Sequence, residues 1–140
     1  MKNRISKKDL NELTYELLGI AIEIHKILGP GLLESIYHKC FLYELRSRNI
    51  PFQTELNVPI LYKELELKVD LRCDIFVDTC LVIELKATES IAPVHEIKLL
   101  SYMKFLNAPK GLLINFNCDN LFKQGQKTFV NELFRHLPEI

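Results

Sequence analysis

The chain has 140 residues, 48% of them apolar, and its 18 lysines and arginines balance 18 aspartates and glutamates. This length predicts a single domain over residues 1–140, and the apolar content excludes a chain too polar to build a core. The zero net charge argues against a protein held to nucleic acid by bulk electrostatic attraction alone, although it leaves room for a local basic rim around an acidic site.

Targeting and membrane segments are not expected. Residues 1–8 lack the apolar stretch of a signal peptide, and the most apolar region, residues 17–28, is interrupted by Glu23, His25 and Lys26. We therefore expect a soluble cytoplasmic protein with no membrane partner. No two of the four cysteines form a CxxC pair, so buried thiols are expected rather than a zinc site.

Two helices are predicted at the start of the chain. Apolar residues recur at alternating spacings of three and four over residues 8–28, which predicts a helix with one apolar stripe. A capping box of Ser6 and Asp9 precedes it, and Gly29 stops it. A second helix is predicted over residues 32–48. Its expected apolar face consists of Leu33, Ile36, Tyr37, Cys40 and Phe41.

Strands are predicted after residue 51, where the apolar period changes to two. One strand is expected over residues 52–62. A long strand, or two segments that meet at a bend, follows over residues 65–77, and another strand over residues 80–86. Next come a helix over about residues 93–107 and a short buried strand at residues 112–116.

The order of these elements predicts an α/β fold. A strand, a helix and a strand in succession indicate a right-handed crossover with parallel pairing, whereas the hairpins before it are antiparallel. We therefore expect a mixed sheet with helices on both faces. The last stretch, residues 119–137, is ambiguous: Gly125 is expected to break it, and residues 129–136 have a helical pattern.

Three charged residues, Asp74, Glu84 and Lys86, are flanked by the apolar residues Phe76, Val82, Ile83 and Leu85. Side chains alternate along a strand, so Glu84 and Lys86 share one face. Mg²⁺ or Mn²⁺ prefers oxygen ligands, usually one or two carboxylates plus water and phosphate oxygen, and it lowers the pKa of a bound water. A lysine beside the carboxylates can orient that water or hold the phosphate. The three residues therefore fit a metal-dependent phosphodiester site.

The register between the two strands decides this hypothesis. If the loop is Asp78 and Thr79 alone, Asp74 lies opposite Ile83 and on the wrong face of the sheet. If the loop is residues 78–80, Asp74 lies opposite Glu84, because a slip of one residue reverses every side chain. The metal site requires the longer loop or a bulge. The alternative, a plain surface salt bridge between the acids and the lysine, accepts either register.

Five further residues are candidates with two explanations each. Glu34 is either a member of the site or a stabiliser of the helix dipole. Lys98 and Tyr102, one helical turn apart, either line a phosphate-binding rim or belong to a solvated face. His95 is a candidate for hydrogen bonding to substrate, although the four histidines have no ligand spacing to one another. Glu44 is either paired in the interior or faces the cleft.

Four blocks of the sequence, in this order, resemble the GxxExxY family of the PD-(D/E)xK nuclease superfamily. They are Gly31-Leu-Leu-Glu34-Ser-Ile-Tyr37, the D…ExK segment of residues 74–86, residues 95–102 and residues 111–116. The resemblance covers roughly residues 10–125. One departure is Lys98, where the family tends to have glutamine.

The resemblance implies a restriction-endonuclease-like core with Mg²⁺ or Mn²⁺ as cofactor, and a hydrolase acting on phosphodiester bonds of nucleic acid, with DNA favoured over RNA. The alternatives are a catalytically idle nuclease fold used for binding or assembly, and a homodimeric scaffold that buries the stripe of its first helix. The resemblance implies Asp74 and Glu84 as metal ligands, Lys86 as the catalytic lysine and Glu34 as the helix carboxylate beside the metal, and it implies that positions 98 and 102 lie near the site. We therefore expect catalytic roles for Asp74, Glu84 and Lys86, metal binding by Asp74, Glu84 and Glu34, and, from the residue pattern, substrate binding by Lys98, Tyr102 and His95.

Overall fold

The structure of the protein, a computed structural model, describes residues 5–140. Its elements, in chain order, are α1 (Lys7–Leu28), α2 (Glu34–Ser47), β1 (Phe52–Asn57), β2 (Ile60–Tyr62), β3 (Leu65–Leu67), β4 (Arg72–Val77), β5 (Leu81–Lys86), α3 (Pro93–Phe105), β6 (Lys110–Asn115), α4 (Leu121–Gln124), β7 (Gln126–Val130) and α5 (Glu132–Arg135). Among the helices of residues 5–140, none combines the length and the apolar character needed to cross a lipid bilayer.

Within residues 5–140, five strands form a mixed sheet in the order β1-β4-β5-β6-β7, and β2 and β3 form a separate hairpin. The parallel pair is β5 and β6, joined through α3, as the strand–helix–strand succession predicts. The stretch predicted as one strand over residues 52–62 is two strands, because Pro59 between them has no N–H to donate to a ladder.

Helices cover both faces of the sheet, which confirms the predicted layers. Helices α1 and α2 pack on one face, and α3 packs on the other. The first core contains Leu17, Ile20, Phe41, Leu45, Ile75, Ile83, Leu85 and Ile114. The second contains Cys73, Phe76, Val82, Leu99, Tyr102, Met103 and Leu113.

The second helix differs from the prediction at its start. It begins at Glu34 rather than at residue 32. Gly29 and Gly31 have φ angles of 71° and 96°, which a helix does not have, so the chain between the two helices is a loop. Leu33 precedes the helix and is 72% exposed, and Ile36 is 37% exposed. The predicted apolar face is therefore wrong for these two residues. The buried face follows a spacing of four, through Tyr37, Phe41 and Leu45.

The C-terminal stretch has more strand than its pattern indicated. Gly125 does separate two elements, as predicted. However, the helical pattern of residues 129–136 is wrong at its start, because Phe129 pairs with Gly111 in the edge strand β7. Only the four residues Glu132–Arg135 form a helix there. Tertiary pairing with β6 thus overrides the local pattern.

The capping box at α1 gives a test of local stability. The Ser6 hydroxyl accepts from the Asp9 N–H over 3.1 Å, and the Asp9 carboxylate accepts from the Ser6 N–H over 3.0 Å. Ser6→Ala should lower the free energy of unfolding by about 1 kcal/mol, measured by urea titration. Ser47→Ala is the control, because that exposed hydroxyl bonds only back to the Tyr43 carbonyl and should matter little. An equal loss in both variants would contradict the capping argument.

Candidate active site

The turn between β4 and β5 sets the register of the candidate site. Val77 lies opposite Leu81 and Ile75 opposite Ile83, so the loop is residues 78–80. This confirms the longer of the two predicted loops. Extending the register by one pair places Asp74 beside Glu84, and not beside Ile83. The condition that the metal-site hypothesis set on the fold is therefore met.

The two carboxylates interlock across the strands. The Asp74 N–H donates to Glu84 Oε1 over 2.9 Å, and the Leu85 N–H donates to Asp74 Oδ2 over 2.8 Å. Each acid thus accepts a backbone hydrogen bond from the strand that carries the other. This exchange fixes both side chains side by side, just beyond the last paired residues of β4 and β5.

Burial and mutual repulsion disfavour ionisation of these acids. Glu84 is 6% exposed, and burial, followed by the charge of Asp74, raises its pKa to about 8. Burial also raises the pKa of Asp74, while the hydrogen bond from Leu85 opposes that rise. The ammonium of Lys86 lowers the pKa of both acids. The structure therefore holds two carboxyl groups whose ionisation is disfavoured, and a bound cation would stabilise their ionised forms.

Glu34 approaches the pair from the start of α2. It is half-buried, and burial raises its pKa, while Lys86 lowers it and Asp74 raises it. The charges of Lys86 and Asp74 thus act on Glu34, which is partly buried. Its role as a metal ligand stays a prediction.

Tyr37 fixes the loop that precedes Glu34. Its hydroxyl donates to the Gly29 carbonyl over 2.6 Å and accepts from the Leu32 N–H over 3.2 Å. Its ring stacks on Phe116, with 4.3 Å between ring centroids. Phe116 in turn donates its N–H to the carbonyl of Lys86 over 2.9 Å. The start of α2 and the end of β5 are thus held against the same aromatic residue.

Asn115 holds the chain that leaves Lys86. It pairs with Lys86 in the parallel ladder and is 8% exposed. Its side-chain oxygen accepts from the Thr88 N–H over 3.1 Å, and its Nδ2 donates to the Thr88 carbonyl over 2.9 Å. Sequence reasoning missed this residue. The available signal was an asparagine at the end of the otherwise apolar segment of residues 112–116.

Of the α3 residues, Tyr102 comes near the pair and Lys98 stays apart. Tyr102 is 3% exposed, and burial, followed by the charges of Glu84 and Asp74, raises its pKa to about 12. Lys98 is exposed, and it is not among the main charges that set the pKa values of the two acids. Their substrate-binding roles stay predictions.

His95 and Glu44 have local partners. His95 Nδ1 accepts from the Ala92 N–H over 3.2 Å and so caps the start of α3; its predicted contact with substrate is untested. Glu44 pairs at the surface with Arg48, the residue after the end of α2, over 3.4 Å, so it is paired but not in the interior. A histidine that the sequence analysis set aside, His38, lies near Glu34 and Asp74. Its position four residues after Glu34 on one helix face was the usable signal.

The carboxylate oxygens of Asp74 and Glu84 suit a hard divalent cation, but only as a two-carboxylate site. Within residues 5–140, the hydrogen bonds of the pair engage Asp74 Oδ2 and Glu84 Oε1, which leaves Oδ1 and Oε2 for a ligand. Mg²⁺ is commonly held by one or two carboxylates, with water completing the shell. Among the same residues, however, no three His, Cys, Asp or Glu side chains converge to hold an ion. The residues thus fit a two-carboxylate site, and a third ligand would require Glu34 to move inward.

Comparisons with known proteins bear on the family and the fold of the chain. The sequence pattern of the PD-(D/E)XK nuclease superfamily matches residues 11–129. The crystal structure of a protein called SSO0001 is similar, with a TM-score of 0.50 and 22% identity, over 96% of this chain and 73% of that one. At this identity the likeness concerns the fold. No curated protein matches the chain.

Proposed function

Because the chain belongs to the PD-(D/E)XK nuclease superfamily, we propose that it is a metal-dependent nuclease that hydrolyses phosphodiester bonds, in DNA rather than RNA. Superfamily membership itself supports a restriction-endonuclease-like fold, a nuclease-like domain, nucleic acid as the substrate and a divalent metal as the cofactor. The finer assignment to the GxxExxY family rests on Gly31, Glu34 and Tyr37 and is part of the proposal.

The observation that carries the proposal is the position of Lys86. Its charge lowers the pKa of Glu34, of Asp74 and of Glu84, so one ammonium acts on all three acids. An ammonium beside buried acids offsets their repulsion, and it can donate hydrogen bonds to a phosphate oxygen or an attacking water. A plain surface salt bridge does not account for Glu84, which is 6% exposed.

In this proposal Asp74 and Glu84 hold Mg²⁺ or Mn²⁺, with Glu34 at its edge. When bound, the cation would lower the pKa of a coordinated water and stabilise charge on the phosphate. Lys86 orients the nucleophile and neutralises the scissile phosphate. Lys98 and His95 on α3 contact the nucleic acid beside that phosphate, whereas Tyr102, which is 3% exposed and belongs to the second core, takes part in substrate binding only through its hydroxyl.

A second candidate is a catalytically idle nuclease fold that binds or assembles without cleaving, as a monomer or a homodimer. The observation in its favour is that no three acidic or imidazole ligands converge in residues 5–140. The neutral net charge also favours it, because a nuclease gains affinity from basic surface.

A cleavage assay separates the two candidates. The purified protein is incubated with end-labelled single-stranded, double-stranded and flapped DNA, and with matched RNA, in millimolar Mg²⁺ or Mn²⁺. We expect metal-dependent cleavage of DNA that chelation by EDTA abolishes. Binding without cleavage on every substrate would support the idle fold. Cleavage of RNA alone would contradict the proposed preference for DNA.

A further inference from the structure

A chain of hydrogen bonds connects helix α2 to the backbone of Asp74. The Thr54 hydroxyl donates to the Asp74 carbonyl over 3.0 Å, and His38 Nε2 lies 2.9 Å from the same hydroxyl. A threonine hydroxyl carries one hydrogen, and this hydrogen is committed to Asp74. The hydroxyl therefore accepts from His38, so His38 Nε2 carries a proton and acts as the donor. The direction of the whole chain is fixed, from α2 through β1 to β4.

The strand that carries Thr54 is distorted at the next residue. Glu55 has a φ of 52°, a conformation that residues other than glycine adopt rarely, and the regular pairing of β1 with β4 resumes only at Leu56. Such outliers persist where surrounding contacts hold them, and they cluster at functional sites. Glu55 Oε1 lies 3.6 Å from His38 Nδ1. The two ring nitrogens of His38 thus face two consecutive residues of β1 at the distortion.

The surroundings of His38 suit support of the site rather than contact with substrate. Its side chain is 16% exposed, so a nucleic acid has little access to it. Glu55 on β1 lies 3.6 Å from its Nδ1, and Glu34 on α2 and Asp74 on β4 interact with its charge. Burial raises the pKa of Glu34 and Asp74, and the imidazole opposes that rise in both.

We propose that His38 is a positioning residue: through the Thr54 hydroxyl it holds the Asp74 peptide, and thereby keeps Asp74 and Glu84 interlocked. The link is direct, because the Asp74 N–H that binds Glu84 and the Asp74 carbonyl that binds Thr54 flank the same Cα. The catalytic consequence of this role rests on the proposed nuclease function, whereas its effect on the carboxylate pair does not.

The test compares variants that break this chain of hydrogen bonds with variants that preserve it. His38→Ala and Thr54→Val remove a donor, whereas His38→Gln keeps a donor near the Nε2 position and Thr54→Ser keeps the hydroxyl. Amide hydrogen exchange, followed by NMR without metal, should speed up at Asp74 and Leu85 in the first two, while amides of β6 stay protected. His38→Gln and Thr54→Ser should recover part of the protection.

Two further readouts apply to the same variants. Removal of a group that orients metal ligands typically costs about 10- to 100-fold in metal affinity or activity, so Mn²⁺ affinity and kcat should fall by that factor with little change in KM. The double variant His38→Ala/Thr54→Val should lose no more than either single variant, because both act through one chain. If the losses of the two single variants add up in the double variant, His38 and Thr54 do not act through one chain of hydrogen bonds.

The outcomes separate this inference from the proposed function. His136→Ala is the control, since this histidine is 80% exposed and lies outside the network, and it should leave all readouts unchanged. Unchanged exchange at Asp74 and Leu85 in His38→Ala, or an equal rise in every strand, would overturn the positioning role. If His38→Ala does not fold, Thr54→Val, similar in volume, decides instead. A wild-type protein that cleaves nothing would refute the nuclease, while the exchange rates would still decide the role of His38.

Discussion

Lys86→Ala and Glu84→Gln are each expected to abolish detectable cleavage of DNA while leaving the fold intact. Loss of one group that stabilises developing charge costs about 10²- to 10³-fold in kcat, and this is the minimum expected for Lys86→Ala. Glu84→Gln replaces a charged ligand by a neutral amide, so it should also weaken metal binding. Its side-chain oxygen can still accept from the Asp74 N–H, so the fold keeps that hydrogen bond.

Matched controls make this result interpretable. Lys104→Ala and Glu66→Gln remove the same charges from exposed positions outside the site and should cleave like the wild type. Circular dichroism and urea titration should give near wild-type folding for all four variants. Calorimetric Mn²⁺ titration should show weaker binding in Glu84→Gln than in Lys86→Ala, because lysine is not a ligand. Wild-type cleavage by both site variants would refute the assigned roles.

Without metal, the protein should become less stable as the pH rises from about 4.5 to about 8. The pKa of Glu84 is about 8 in the folded chain, against an ordinary value of 4.5. Between these values the unfolded chain releases the proton and the folded chain keeps it, so the free energy of unfolding falls with increasing pH. The loss is absent below the lower value and complete above the upper one. The raised pKa of Asp74 acts in the same direction, from its ordinary value of 3.8 upwards.

Divalent metal should reverse this loss. An ion that binds only the folded state stabilises it by about 2.7 kcal/mol at a concentration 100 times its Kd. Because the ligands must be ionised, Mn²⁺ should raise Tm more at pH 8 than at pH 6. In Glu84→Gln both the metal-free pH slope and the metal effect should shrink. A Tm that stays constant across millimolar Mg²⁺ and Mn²⁺ at both pH values would count against the metal site.

The elements with the strongest periodicity are the ones that the sequence predicts well. Helix α1 agrees within one residue, because its apolar stripe recurs from Leu10 to Ile24 and a capping box marks its start. The parallel pairing of β5 with β6 follows from the crossover rule, which depends on chirality and not on particular residues. The shared face of Glu84 and Lys86 follows from the alternation of strand side chains.

The features that escape prediction depend on contacts distant in sequence. The β4–β5 register could not be chosen beforehand, since Asp78 and Thr79 suit either loop, and the exchange of hydrogen bonds by Asp74 and Glu84 occurs only in one of them. Strand β7 exists because β6 has an edge to pair with. His38 matters only because β1 brings Thr54 beside it.

The hydrogen bonds of the interlocked carboxylates also affect what the retention of Asp74 and Glu84 can show about function. Each caps a backbone N–H that the ladder does not bind, and a buried donor left unsatisfied costs about 1–3 kcal/mol. Random change at Asp74 or Glu84 would therefore be opposed by folding alone, even in a lineage that had ceased to cleave anything. Lys86 supplies no hydrogen bond of this kind and acts on the acids through its charge, which lowers the pKa of both. Retention of the lysine is thus better evidence of selection for chemistry at this site than retention of the acids.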